Sequence, residues 1–115
     1  MVVYVDGRGG NSSGYGYYAP NTGESDFIKK SDLTNMEAEY TAILSALEKY
    51  AYTQKPLVLY SDAQTVVLQI NHEYSIKKDT LRDLARKIWL LIKEYPSVEI
   101  KWIPREENLA GKMLG

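Results

Sequence analysis

The sequence predicts an α/β fold in which a mixed sheet, opening with a three-strand antiparallel meander, is covered by helices. Three observations predict it. The first third of the chain is a succession of short β-branched and aromatic runs separated by turns rich in glycine, asparagine and serine. The remainder alternates segments of helical periodicity with compact apolar strands. No internal repeat, linker or low-complexity block divides the 115 residues, so residues 1–115 read as one domain.

Each element has its own signal. "VVYV" (Val2 to Val5) is a compact run suited to a strand buried on both faces, and it stops at Asp6-Gly7. "GRGGNSSG" follows as a loop, then "YGYYAP" and "DFIKKS" as short strands separated by "NTGES". In "NMEAEYTAILSALEKYA", Met36, Tyr40, Ile43, Leu47 and Tyr50 recur at helical spacing, with Thr34 or Asn35 as the cap. "PLVLYS" is a second apolar strand, and "DAQTVVLQIN" runs on from it as a helix. "DTLRDLARKIWLLIKEY" puts Leu81, Leu84, Ile88, Leu91 and Tyr95 on one helical face. "VEIKWIP" alternates Val98, Ile100 and Trp102 as a strand, and "REENLAGKML" closes the chain as a short helix. The order is β-β-β-α-β-α-α-β-α. Open sheets of this kind place their sites beyond the carboxyl ends of central strands.

Composition narrows the chemistry. The 44% hydrophobic and 25% charged fractions are those of a globular protein. The absence of cysteine excludes a disulfide framework, a thiolate metal site and a cysteine nucleophile, and suits a cytoplasmic setting. No apolar run reaches the roughly 18 residues of a membrane span. The opening "MVVYVDGRGG" lacks the basic and apolar regions of a secretory signal. Fourteen basic and fifteen acidic residues give a net charge of -1, less basic than a dedicated nucleic-acid binder. That objection weakens if acids cluster around divalent cations that neutralise them. Nothing in the sequence signals an obligate oligomer, so a monomer is expected.

Two apolar strands end in aspartate, "VVYVD" at Asp6 and "LVLYSD" at Asp62. Taken singly, Asp6 is equally a turn former before Gly7, and Asp62 a first-turn helix residue. Together, at the ends of strands expected to be neighbours, they favour a metal site. At about 100° per residue, the apolar face of the first long helix takes in the direction of Glu39, whereas Glu37 points to water. A glutamate bordering a buried face is costly unless it is paired, holds a cation or reaches water along the surface. Three carboxylates from separate segments suit a hard cation, Mg²⁺ or Mn²⁺. Two such ions can serve a phosphodiester hydrolysis.

"YVDGRGGNSSGYGYY", "LTNMEAEYTAILSALE", "LYSDAQTVV" and "KWIPREENLAGKML" resemble, in order, the four signature blocks of type 1 ribonuclease H, and together span nearly the whole chain. The resemblance implies a five-stranded ribonuclease H-like sheet. It implies a two-metal endonuclease that hydrolyses the RNA strand of RNA-DNA hybrids, with two Mg²⁺ or Mn²⁺ ions in the substrate complex. Asp6, Glu39 and Asp62 match the metal-holding carboxylates. Asn11 matches a position that contacts the RNA strand, and Gly7 one that lets backbone approach it closely. Asn35 and Gln64 match amides beside the hybrid's minor groove. Each amide has a turn, cap or surface role as its alternative.

Two departures follow from the same comparison. Where many members have a loop histidine after the last strand, this chain has "PREEN", so Arg105, Glu106 or Glu107 is left as a substitute. His72, the lone histidine, reads as a surface or helix-ending residue. Lys77, Lys78, Arg82 and Arg86 form either a small phosphate-facing patch or a solvated helix face. The usual closing Asn-x-x-Ala-Asp is reduced to Asn108-Leu109-Ala110-Gly111, which lacks the fourth acid. Asn108 is then either a neutral fourth ligand, completing an Asp-Glu-Asp-Asn catalytic set, or a helix cap with water as the ligand. Alternatives to the hybrid nuclease are a non-catalytic hybrid- or RNA-binding module on this fold, and a DNA-cutting nuclease of the same superfamily.

Overall fold

The computed structural model describes residues 1–114. β1 (Val2–Arg8), β2 (Gly14–Ala19) and β3 (Glu24–Lys29) form the antiparallel meander. β4 (Leu57–Ser61) and β5 (Val98–Trp102) extend it in parallel from the other side of β1. The result is a five-stranded mixed sheet of order β3-β2-β1-β4-β5, as the sequence predicts, with β1 and β4 at its centre. The helices are α1 (Asn35–Tyr50), α2 (Gln64–Ile70), α3 (Asp79–Ile92) and α4 (Leu109–Leu114).

The core lies between the sheet and α1 and α3. Val3 and Val5 of β1, Leu57 and Leu59 of β4 and Ile100 of β5 meet Tyr40, Ile43, Leu47 and Tyr50 of α1 and Ile88 of α3. Tyrosines enter this core because each hydroxyl finds a partner: Tyr40 donates to Gln69 Oε1 at 2.7 Å and Tyr95 to the Leu47 carbonyl at 2.7 Å. α1 begins at a reciprocal cap. Thr34 Oγ1 accepts from the Glu37 backbone N–H at 3.1 Å, and Glu37 Oε1 accepts from that of Thr34 at 2.9 Å. This settles the cap on Thr34 and frees Asn35 for other work.

Two boundaries and one exposure differ from the sequence pattern. α2 starts at Gln64, so Asp62 sits in the turn before the helix, where Ser61 Oγ accepts the Ala63 N–H at 3.1 Å. The segment after β5 is a short 3₁₀ turn, Arg105–Glu107, and only then α4, so Asn108 precedes the helix instead of lying on its first turn. Trp102 is 44% exposed although it alternates with buried Ile100, because β5 is an edge strand and the indole lies at its end.

Away from the core side, Tyr4 and Tyr60 stand opposite each other on β1 and β4, their rings stacked 5.2 Å apart. Each precedes a site aspartate by two residues, so Asp6 shares a strand face with Tyr4, and Asp62 lies just past the end of β4. His72, at a left-handed φ of 65° just past α2, is exposed and stacks on Trp89 at 4.6 Å. Among the described residues no helix is long and apolar enough to cross a membrane.

The capping box carries a direct expectation. Thr34→Ala should lower the unfolding free energy by about 1 kcal/mol, read by denaturant titration, because one N–H at the α1 start loses its acceptor.

Candidate active site

Asp6, Glu39 and Asp62 meet at the carboxyl ends of the two central strands, with one carboxylate oxygen from each within 4.8 Å of the others. Asp6 and Asp62 arrive there through the parallel pairing of β1 with β4. Glu39 arrives through a glycine. A Cβ on Gly7 would lie 2.5 Å from the Ala38 carbonyl carbon and oxygen and 2.7 Å from the Glu39 nitrogen, closer than atoms can approach. With no side chain at Gly7, α1 rests directly on the β1 backbone and Glu39 reaches Asp6. The glycine expected to admit substrate is therefore needed first by the helix.

Crowding acid groups in partial burial shifts their protonation. Burial, then the charges of Asp6 and Asp62, push the Glu39 carboxyl up to about 8 from an ordinary 4.5. Burial, then Asp62, raises Asp6 as well, while the Gly7 backbone and the Arg105 and Arg8 guanidinium groups pull it down. Among the described residues, Glu39 Oε1 is the buried side-chain polar atom left without a hydrogen-bond partner. An orphaned carboxylate oxygen facing two further carboxylates, with no thiolate or imidazole in the set, fits a hard divalent cation.

Asn108 is fully buried beside this cluster, and its amide has a partner on each side. Nδ2 donates to the Val5 carbonyl at 2.9 Å and to Asp62 Oδ2 at 3.3 Å, while Oδ1 accepts the Ala110 N–H at 3.1 Å as the cap of α4. The last of these bonds is the helix cap, one of the two roles that the sequence leaves open for Asn108. Gly111, three residues on, sits directly against the cluster, since a Cβ there would lie 3.6 Å from Asp6 Oδ2 in ordinary contact.

Two cavities flank the carboxylates. One, of about 330 Å³, includes Gly7, Glu39, Asp62, Asn35 and Gln64 in its walls. The other, of about 460 Å³, is lined by Asp6, Gly7, Arg8, Asp62, Arg105, Glu106, Gly111 and Lys112. Asn35 also holds the β1–β2 loop, accepting the Gly9 N–H on Oδ1 at 2.7 Å. Asn11 lies exposed in that loop and lines neither cavity. Arg8 and Lys112 are the residues sequence reasoning passed over. Their signal is position: Arg8 follows Asp6 by two residues, and Lys112 adjoins Gly111. Arg82 and Arg86, weighed as a phosphate patch, pair with Asp79 and Asp83 and line a separate cavity with His72 and Trp89.

The raised Glu39 value fixes the sign of a pH effect. The folded protein holds a proton that the unfolded chain releases near 4.5, so this group's stabilisation is full below that value and lost as pH rises through about 8. Thermal melts without divalent cations should therefore fall between about pH 5 and 8. Glu39→Gln should flatten that slope and stabilise the protein at pH 8 by on the order of 1–2 kcal/mol.

The profile of the reverse transcriptase-like family matches residues 22–114. A protein of Enterococcus faecalis named "Putative hydrolase EbsB" is 27% identical over 122 aligned positions, covering 99% of this chain and 90% of its own. LC11-RNase H1, solved in complex with an RNA/DNA hybrid, superposes with a TM-score of 0.86 at 25% identity, covering 98% of this chain and 91% of that one. The N-terminal RNase H domain of a Mycobacterium tuberculosis protein, solved as a maltose-binding-protein fusion, gives a TM-score of 0.87. Its 20% identity, over 99% of this chain and 88% of that one, speaks for the fold alone. Family match, strand order and superposition agree: this chain belongs to the reverse transcriptase-like family and has the ribonuclease H fold.

Proposed function

We propose that this protein is a divalent-cation-dependent endoribonuclease that hydrolyses the RNA strand of RNA-DNA hybrids. The observation that carries the reading is the junction of Asp6, Glu39 and Asp62 around an unpartnered buried oxygen, between two cavities open to a ligand. A relative of the same fold was solved with an RNA/DNA hybrid, which supports the choice of substrate.

Asp6, Glu39 and Asp62 would hold the cation, Mg²⁺ or Mn²⁺, with two ions in the substrate complex. Once bound, a divalent cation supplies positive charge to a phosphodiester and lowers the pKa of a water beside it. The chain's own residues do the rest. Arg105 lines both cavities, and its charge already bears on Asp6 and Glu39, so it is placed to meet a phosphate oxygen. Arg8 and Lys112 add positive charge on the Gly111 side. On the other side, Asn35 and Gln64 offer amides to base or sugar edges, while the hydrogen bond from Gly9 keeps Asn35 in one orientation.

Incubation with RNA-DNA hybrid, double-stranded RNA or double-stranded DNA tests the reading. Loss of the hybrid's RNA strand alone, with Mg²⁺ or Mn²⁺ and not with EDTA, is expected, and Asp6→Asn should reduce the rate by at least about 100-fold. Hybrid binding without cleavage would replace the reading with a binding module, and cleavage of DNA with a different nuclease.

Gly111 yields a separate expectation. Because a Cβ there meets Asp6 Oδ2 at an ordinary 3.6 Å, a longer side chain has room to enter the site. Gly111→Asp should tighten Mn²⁺ binding about 10-fold by isothermal titration, through an added carboxylate.

A further inference from the structure

The backbone ladder between β1 and β4 ends at the Tyr4–Tyr60 pair. Val5, Asp6, Ser61 and Asp62 all lie beyond it, so ladder pairing between these strands does not set the spacing of the two site aspartates. Like-charged groups this close repel, and the strand ends would splay if nothing joined them. Asn108 stands at that gap. Its one nitrogen donates both to the Val5 carbonyl, just before Asp6, and to the Asp62 carboxylate.

The amide's orientation is dictated by its partners. Turning it over would set its oxygen against two acceptors and its nitrogen against the Ala110 N–H, a donor. At 0% exposure, no water is at hand to repair such a mismatch.

We propose that Asn108 is a positioning residue: by joining the Val5 carbonyl to the Asp62 carboxylate through one buried nitrogen, it sets the relation of the two cation-holding aspartates and supplies no ligand oxygen itself. The proposal rests on the cation site proposed above. It assigns the last segment of the chain a structural grip on the site in place of a charge.

Three substitutions in the full chain separate the possibilities, read by Mn²⁺ titration without nucleic acid and by thermal melts. Asn108→Ser keeps a capping oxygen but is too short to reach Val5 and Asp62. It should melt higher than Asn108→Ala yet bind Mn²⁺ about 10-fold more weakly than the wild type. Asn108→Ala should lose both cap and affinity. Asn108→Asp should bind more weakly than the wild type, since it sets a second carboxylate against Asp62. Wild-type affinity in Asn108→Ser would reduce Asn108 to a helix cap, and tighter binding in Asn108→Asp would make position 108 a ligand; either overturns the proposal.

Amide exchange by NMR tests the link without any metal. The Asn108 Nδ2 protons should exchange at least about 10-fold more slowly than those of exposed Asn11, with Asp62→Ala releasing one of them. Free exchange of both in the wild type would overturn the link itself. A wild type that binds no Mn²⁺ would instead overturn the cation reading and the positioning role with it, and the exchange rates would identify that as the failure.

Discussion

The contact between α1 and the bare backbone of Gly7 is the constraint on which the site depends. Sheet topology brings the two strand-end aspartates to one edge, since parallel neighbours end on the same side. The third carboxylate comes from a helix layer, which ordinary side chains would hold at a distance from the strand backbone. Only where the intervening side chain is missing can a short glutamate cross that distance. Gly9 repeats the device one turn of loop later: a Cβ there would strike the backbone of Thr34 and Asn35. Together the two glycines bring the start of α1 down onto β1 and its loop.

The parts of this protein legible in its sequence are those encoded locally. Apolar runs and helical spacing mark the elements, and strands ending in aspartate point to the sheet edge that bears the cluster. Glu39 could be separated from Glu37 by angle alone, and the structure brings Glu39 together with Asp6 and Asp62 while Glu37 caps α1. What resisted reading depends on distant partners. The orientation of Asn108 is decided by Val5, 103 residues earlier, and by Asp62, 46 residues earlier. An asparagine after a strand reads equally as ligand or cap until those acceptors are in place. The packing demand on Gly7 was hidden in the same way, because it comes from a helix some thirty residues on.

The last segment of the chain meets the cluster differently from the strands and α1. They deliver negative charge to a crowded point. This segment delivers an amide nitrogen, a glycine with no side chain, and two cationic residues, Arg105 and Lys112. Of these, the Arg105 charge offsets the crowding of acid groups, pulling the Asp6 and Glu39 carboxyls down where burial raises them, while Glu106 lines the same cavity. The cavity beside Gly111 is the space left by that choice.

The stacked rings of Tyr4 and Tyr60 have a bearing on how the molecule assembles. Because each tyrosine precedes a site aspartate by two residues, the register that brings the rings together also sends Asp6 and Asp62 toward the same end of the sheet, where the Asn108 amide meets both strands. A slip of one residue between the strands would turn one ring and its carboxylate into the opposite layer, against the helices. The aromatic pair therefore marks the strand register, since the two rings can stack only when they stand on the same face of the sheet.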